Sequence, residues 1–445
     1  MKLILENIRT FSGRHTISIK PLTIVTGENS SGKTTLLGMF SALCDQTYPI
    51  QPNFNSPPYN FGNYDTIATN RRSKSREADH FSLGYIRESL DQKESQEQVQ
   101  TLPVERVEAR YNGRRGQIRL ESFEAIGKDF EFFLVMDDQP GRKVHGKCRI
   151  RIRDRSLSVD LPEVKAPTGG QFKVGPLMQL LLGLLDQSTS SEEPKQPDTP
   201  RDSLVVMEAF NRLWSVPLAS ALSVAPIRTK PERTYSQITE TFKPTGDHVP
   251  FLLDEVLSEE SADRSKLLTA LLGFGEEAHL FRKFRVKHLG KKATDPFELM
   301  VSTAGHAVNL VDVGYGISQS LPVVVQATLK DSAETLLLQQ PEVHLHPRAQ
   351  AALGSFFSRI ASSGSGNLIV ETHSDYIIDR VRQEVAARTI SPDRVLIIYL
   401  HRKGEKTIPH EMRIDAAGNL LNVPSYYREF FLREGLNLLN RGKRN

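Results

Sequence analysis

Two stretches of the chain hold residues able to handle a triphosphate. The first, "GENSSGKTT" at 27–35, matches G-x-x-x-x-G-K-[ST] in full. A loop of this kind turns consecutive backbone N–H groups toward phosphate oxygens, so it needs small or conformationally free residues. A helix starting behind it adds partial positive charge. Gly27, Glu28, Asn29, Ser30, Ser31, Gly32, Lys33, Thr34 and Thr35 are therefore the expected contacts to ATP. Lys33 is expected at the β- and γ-phosphates, and the Thr34 hydroxyl on Mg2+.

The second stretch is "LLLQQPEVHLHPRAQ" at 336–350. Its leucines read as a buried strand ending in a sharp turn. A nucleotide hydrolase commonly delivers from such a strand one carboxylate to the metal and a second that activates water. Here those places hold Gln339 and Gln340. An amide oxygen is a neutral, weaker metal ligand, and an amide cannot accept a proton as a general base. Glu342 is the nearest remaining carboxylate. Binding is expected to survive, while hydrolysis is expected to fall by the ~10²–10⁴ that a general acid–base group is worth. Two accounts of the amides stand open: a slow ATPase that uses ATP as a clamp, or a glutamate exchanged for glutamine to hold the ATP-bound state.

His373 follows an apolar run in "LIVETHSDYIIDRVR" (368–382), at a strand's carboxyl end, where open α/β sheets bind ligands. Gln339, Gln340, Glu342 and His373 are thus the expected catalytic group, with Gln339 and Thr34 nearest the metal. In "VDVGYGISQSLPVVVQA" (311–327) a glycine-rich turn opens a helix. His344 and His346 are spaced i, i+2, which is poor for two metal ligands, and no cysteine joins them. They read as structural, with Pro347 opening the next helix.

These residues need a scaffold. "KLILENI" and "HTISIK" read as a hairpin, and "PLTIVTG" as a buried strand before a helix over 31–44. Between 81 and 162 alternating segments such as "FEFFLVM" imply an antiparallel layer. Residues 176–222 and 248–285 read as helical, interrupted at 186–203 by a Ser/Pro-rich stretch expected to be disordered. From 336 onward apolar strands alternate with amphipathic helices, the pattern of a parallel sheet covered on both faces. The expected units are an N-terminal lobe at 1–165, a mainly helical insertion at 166–300 and a C-terminal lobe at 301–445.

With 57 Lys+Arg against 53 Asp+Glu, the net charge of +4 is too mild to argue for nucleic acid alone. The basic loop at 70–80 and Arg228, Lys230 and Arg233 are candidate phosphate or partner contacts, or plain solvated turns. Two cysteines make no disulfide framework. No apolar run approaches the ~20 residues of a membrane span. A cytoplasmic location is expected, without a membrane anchor.

Taken in order, the phosphate loop, "VGYGISQ", "PEVHLHP" and "ETHSD" resemble the ABC-like branch of AAA ATPases, which includes SMC, RecF and OLD-type proteins. The likeness is strong over 1–45 and 305–382. It implies an α/β ATPase head: a parallel P-loop sheet flanked by helices, with an antiparallel layer and a helical insertion. It also implies that Gly314, Gly316, Ser318 and Gln319 form a signature that meets the γ-phosphate held by a second subunit. His373 would be the switch histidine. ATP would then bridge a head-to-tail dimer or larger homo-oligomer. A single-chain head further resembles the stand-alone ATPases of anti-phage systems such as PARIS, Septu and Gabija. That implies a phage trigger protein and a separate Toprim-type nuclease effector. The 45 or so residues after 395–400 are too few for a Toprim domain of the chain's own. The alternative is a RecF- or SMC-like ATPase that grips DNA in repair or chromosome maintenance.

Overall fold

The computed structural model describes residues 1–69, 80–87, 104–114, 116–137, 145–161, 200–213, 218, 220–236, 241–292, 295–303, 305–364 and 366–429. The basic loop at 70–80 (apart from His80) and residues 176–199, with most of the Ser/Pro-rich stretch at 186–203, lie outside them; residues 200–203, expected to be disordered, instead begin a helix at Pro200–Leu213.

The chain opens as expected with a hairpin, β1 (Lys2–Ile8) and β2 (Phe11–Ser18). Then come β3 (Leu22–Gly27), α1 (Lys33–Leu43) and a short helix, α2 (Tyr64–Ile67). Six strands follow: β4 (Phe81–Ile86), β5 (Arg106–Arg114), β6 (Gln117–Gly127), β7 (Phe130–Asp137), β8 (His145–Ile152) and β9 (Arg155–Leu161). They join the opening hairpin in one antiparallel sheet, ordered β2-β1-β4-β5-β6-β7-β8-β9. The alternating pattern foretold that layer. That β1 pairs with β4, and so extends it, is a tertiary fact.

The middle of the chain supplies α3 (Pro200–Leu213), β10 (Ala221–Val224), α4 (Val249–Ser258) and α5 (Ala262–Glu277). The helix expected over 248–285 is two helices. Ser261 divides them, its hydroxyl accepting from the Arg264 N–H at 3.2 Å as the N-cap of α5. Its last three residues belong instead to β11 (Lys283–His288), which pairs with β12 (Phe297–Ser302); β12 pairs with β13 (Val308–Asn309).

The C-terminal part alternates α6 (Tyr315–Leu329), β14 (Thr335–Gln339), α7 (Pro347–Ser362), β15 (Asn367–Glu371), α8 (Asp375–Ala386) and β16 (Val395–Lys403). Strands β17 (Lys406–Ile414) and β18 (Leu420–Leu421) fold back antiparallel. The central sheet runs β10-β14-β15-β3-β16-β17-β18, with its first five strands parallel. This is the α/β ATPase-head architecture expected from the sequence.

Strand periodicity explains how this sheet is covered. Leu337, Ile369, Val25 and Ile398 face one core with α1 and the antiparallel layer, beside Leu36, Leu37, Phe40, Phe81 and Phe123. Leu336, Leu338, Leu368, Val370, Ile24 and Ile397 face the other, against Phe356, Phe357, Ile377 and Val381 of the helices. No helix among the described residues is long and apolar enough to cross a membrane. Both cysteines are buried and unpaired.

Candidate nucleotide and metal site

The parallel register brings the carboxyl ends of four strands to one edge. Gln339 pairs with Glu371, Glu371 with Val25, and Leu400 with Gly27. The phosphate loop leaves β3 at that edge. A Cβ on Gly27, whose φ is 143°, would stand 2.3 Å from the Leu400 carbonyl oxygen, so only glycine fits there. Below the loop lies the β1–β2 turn. Thr407 donates its N–H to the Thr10 carbonyl at 2.8 Å and its hydroxyl to the Ser31 carbonyl at 2.8 Å. β17 thus ties the loop to the turn of the hairpin.

Lys33 opens α1 and is buried. Its ammonium donates to the carbonyls of Gly27 at 3.0 Å and Glu28 at 2.7 Å. Burial pulls its pKa below the ordinary lysine value, opposed by the charges of Glu371, Glu28 and Glu342. Glu28, Asn29 and Ser30 are exposed, and Ser30 has a left-handed φ of 59°. Ser31 and Thr35 are buried, and the Ser31 hydroxyl has no partner.

Thr34 projects from the first turn of α1 toward β15. Its hydroxyl lies 3.1 Å from both carboxylate oxygens of Glu371. Sequence reasoning did not select Glu371. The signal was present, since Glu371 ends the run "NLIVE" as Gln339 ends "TLLLQ". Only strand pairing shows that the two are neighbours. Burial pushes the Glu371 carboxyl above its usual range, against the hydrogen bond from Thr34 and the charge of Lys33.

Gln340 follows Gln339 with a left-handed φ of 42°, and its N–H donates to the Glu371 carbonyl at 2.8 Å. Non-glycine residues held in that region cluster at functional sites. Glu342 sits in the turn beyond. One carboxylate oxygen accepts the His373 backbone N–H at 2.7 Å, while the other is buried without a partner. Burial raises its pKa, opposed mainly by that hydrogen bond. His373 is exposed; partial burial and then the charge of Lys33 depress its pKa.

Arg228 is the second residue whose role the sequence left open. It is a buried tie rather than a solvated loop cation. Its guanidinium donates to the carbonyls of Gln319 at 2.9 Å, Gln340 at 3.3 Å and Gln339 at 3.4 Å. Burial lowers its pKa to about 10. Arg233 instead forms an exposed pair with Asp312.

The glycine-rich turn at 314–319 starts α6. Gly314 is its exposed N-cap, with open space where a Cβ would stand, and Tyr315 is 53% exposed. Gly316 packs near Leu345. Ser318 and Gln319 are buried. The Ser318 hydroxyl donates to the Tyr315 carbonyl at 3.0 Å, and the Gln319 amide reaches the Thr229 carbonyl at 3.5 Å. Fold and strand register therefore bring Lys33, Thr34, Gln339, Gln340, Glu342 and His373 to one edge. The contacts of Gly314, Gly316, Ser318 and Gln319 are with other residues than the loop at 27–35. His346 caps α7, as its structural reading required, its Nδ1 accepting from the Arg348 N–H at 3.4 Å.

Two family descriptions match the chain, each over about a third of it. "AAA domain" covers residues 2–146, which include the phosphate loop. "AAA domain, putative AbiEii toxin, Type IV TA system" covers 228–379, from the Arg228 tie through His373. Both matched segments are thus similar to AAA ATPase domains. The chain is 21% identical over 399 residues to the OLD nuclease of Thermus scotoductus, a match that covers 88% of the chain. The chain spans 62% of that relative's length. It also aligns with an SMC head bound to the C-terminal winged-helix domain of ScpA at 11% identity, TM-score 0.39, covering 94% of this chain and 98% of that one. With the SMC head domain from Thermotoga maritima the identity is 8% and the TM-score 0.35, over 95% and 98% of the two chains.

The site's chemistry fits Mg2+ with a nucleotide triphosphate. Hard oxygen donors, Thr34 and Glu371, stand beside an ammonium resting on loop carbonyls. Mg2+ keeps several waters and takes one or two protein oxygens together with substrate phosphates, as these two donors would allow.

Proposed function

We propose that this ATPase binds ATP with Mg2+, closes head to tail on a second copy, and uses nucleotide state to control a separate effector. The observation that carries this reading is the convergence of Lys33, Thr34, Glu371 and Glu342 at the carboxyl ends of β3, β14 and β15. Lys33 would turn from the loop carbonyls to the β- and γ-phosphates, and the exposed Gly27–Ser30 backbone would cradle them. Mg2+ when bound would neutralise phosphate charge, held through Thr34 and the acidic edge of β15. Gln339 lies at that edge as a neutral neighbour. Glu342 has a buried, unoccupied oxygen with which to accept a proton from water, while Gln340 has none to offer. Turnover is accordingly slow.

The exposed N-terminal end of α6 at Gly314 and Tyr315 is the surface offered to a second copy's phosphate. Arg228 links that helix to the carbonyls of Gln339 and Gln340, giving a physical route between the two ends of the site. The effector reading rests on the kinship with an OLD nuclease and with a family described by a toxin: a Toprim-type nuclease as partner, in anti-phage defence of the PARIS kind, triggered by a phage protein.

Light scattering on the purified chain tests the assembly. Added ATP and Mg2+ should at least double the mass. Lys33→Ala should stay at its nucleotide-free mass. An unchanged mass in the unmodified protein at saturating ATP would overturn the bridged assembly.

One observation favours a second reading, a grip on DNA. The outward face of β8 carries Lys147, Arg149 and Arg151 at alternate positions, Arg153 follows in the turn and Arg155 opens β9. Arg151 is partly neutralised by Glu131. If this face holds phosphates, log affinity for duplex DNA should fall with log salt at a slope of roughly −2 to −4, near −0.9 per phosphate contact. Affinity indifferent to salt, or no binding at 50 mM, roughly the low-salt end of such titrations, removes the reading.

A further inference from the structure

We propose that Glu371 is the metal-holding carboxylate of this site, supplied from the strand beside the one where ABC-like relatives carry theirs. The inference rests on the ATP-binding reading above and deepens it by giving the metal's carboxylate to β15 in place of the amide-bearing end of β14. The sequence places an amide, Gln339, at the end of β14, and looked at alone the chain lacks a metal acid. The sheet shows why it does not. Gln339 and Glu371 are register partners at the ends of parallel strands, about 4.8 Å apart in the hydrogen-bonding direction. A carboxylate moved across one strand still reaches the same point in space.

Three features show that Glu371 is aimed at that point. Both carboxylate oxygens stand 3.1 Å from the Thr34 hydroxyl, the group that the phosphate loop offers to Mg2+. The side chain is 4% exposed, so a charge is being kept out of water. A buried carboxylate costs free energy unless it is paired or bound to a cation. Lys33 supplies a nearby positive charge, yet its ammonium is bonded to the loop carbonyls and not to Glu371. Glu371 therefore meets two neutral donors, the Thr34 hydroxyl from the loop and the Gln339 amide from β14, and a divalent cation would complete its pairing. Gln339 as an amide then makes sense. A second carboxylate at that register position would face Glu371 across about one strand spacing, with like charges opposed.

Calorimetry of ATP binding, with Mg2+ and with EDTA, tests the assignment on three proteins: the unmodified chain, Glu371→Gln, and the exchange Gln339→Glu with Glu371→Gln. The expected result is a 10–100-fold loss of the Mg2+-dependent gain in ATP affinity in Glu371→Gln. Binding in EDTA should be unchanged. The exchange, which returns the carboxylate to β14, should recover at least a tenfold share of the lost gain. Because glutamine removes a buried charge without changing shape, Glu371→Gln should also melt no lower than the unmodified chain in EDTA. That separates metal loss from misfolding. Full Mg2+ dependence retained in Glu371→Gln overturns this inference and leaves the ATP reading standing. No ATP binding by the unmodified chain overturns both.

Discussion

Lys33→Ala is expected to lower ATP affinity by at least about 100-fold in calorimetry while the chain stays folded. That factor corresponds to about 2.8 kcal/mol. A charge-assisted hydrogen bond contributes about 1.5–3 kcal/mol, and Lys33 is placed to make more than one to the terminal phosphates. The loss has a second origin. Glu371, Glu28 and Glu342 all act on the Lys33 charge. Without the ammonium, their negative potential stands opposite an incoming triphosphate. Burial is no obstacle to the substitution, because the ammonium's two partners are loop carbonyls at the rim of the sheet. Unchanged affinity in this variant would refute the phosphate-loop assignment.

The second large effect is expected at Glu342. Glu342→Gln should cut turnover by about 10²–10⁴ and leave ATP affinity within a few-fold, measured by steady-state hydrolysis beside calorimetry. The argument is one of elimination with geometry behind it. Gln339 and Gln340 cannot take a proton. Glu371 is engaged by Thr34 at the loop. Glu342 is held in place by the His373 N–H through one oxygen, and its other oxygen is free. Burial raises its pKa toward working pH, as general bases require. Glutamine keeps the amide oxygen as acceptor for the His373 N–H, so His373 should keep its place. Turnover equal to that of the unmodified chain would return the search for a base to His373. A loss of affinity as large as the loss of turnover would assign Glu342 to binding.

Much of this was written in the chain in linear form. Spacing alone gave the phosphate loop, because a cradle of backbone amides needs glycines and a lysine within nine consecutive residues, and local geometry suffices to build it. Periodicity gave the parallel sheet and the antiparallel layer, because burial on two faces or one leaves runs or alternations that can be counted. The amides at Gln339 and Gln340 were equally legible, and so was the chemistry they cannot do. Tertiary structure decided the rest, for one reason: strand register and loop packing join residues far apart in sequence, and no local pattern carries that pairing. It set Glu371 beside Gln339 and under Thr34. It buried Arg228 between the carbonyls of α6 and β14 rather than leaving it in solvent. It also laid the opening hairpin into an eight-stranded layer, with Thr10 and Phe11 packed against Gly32 of the phosphate loop.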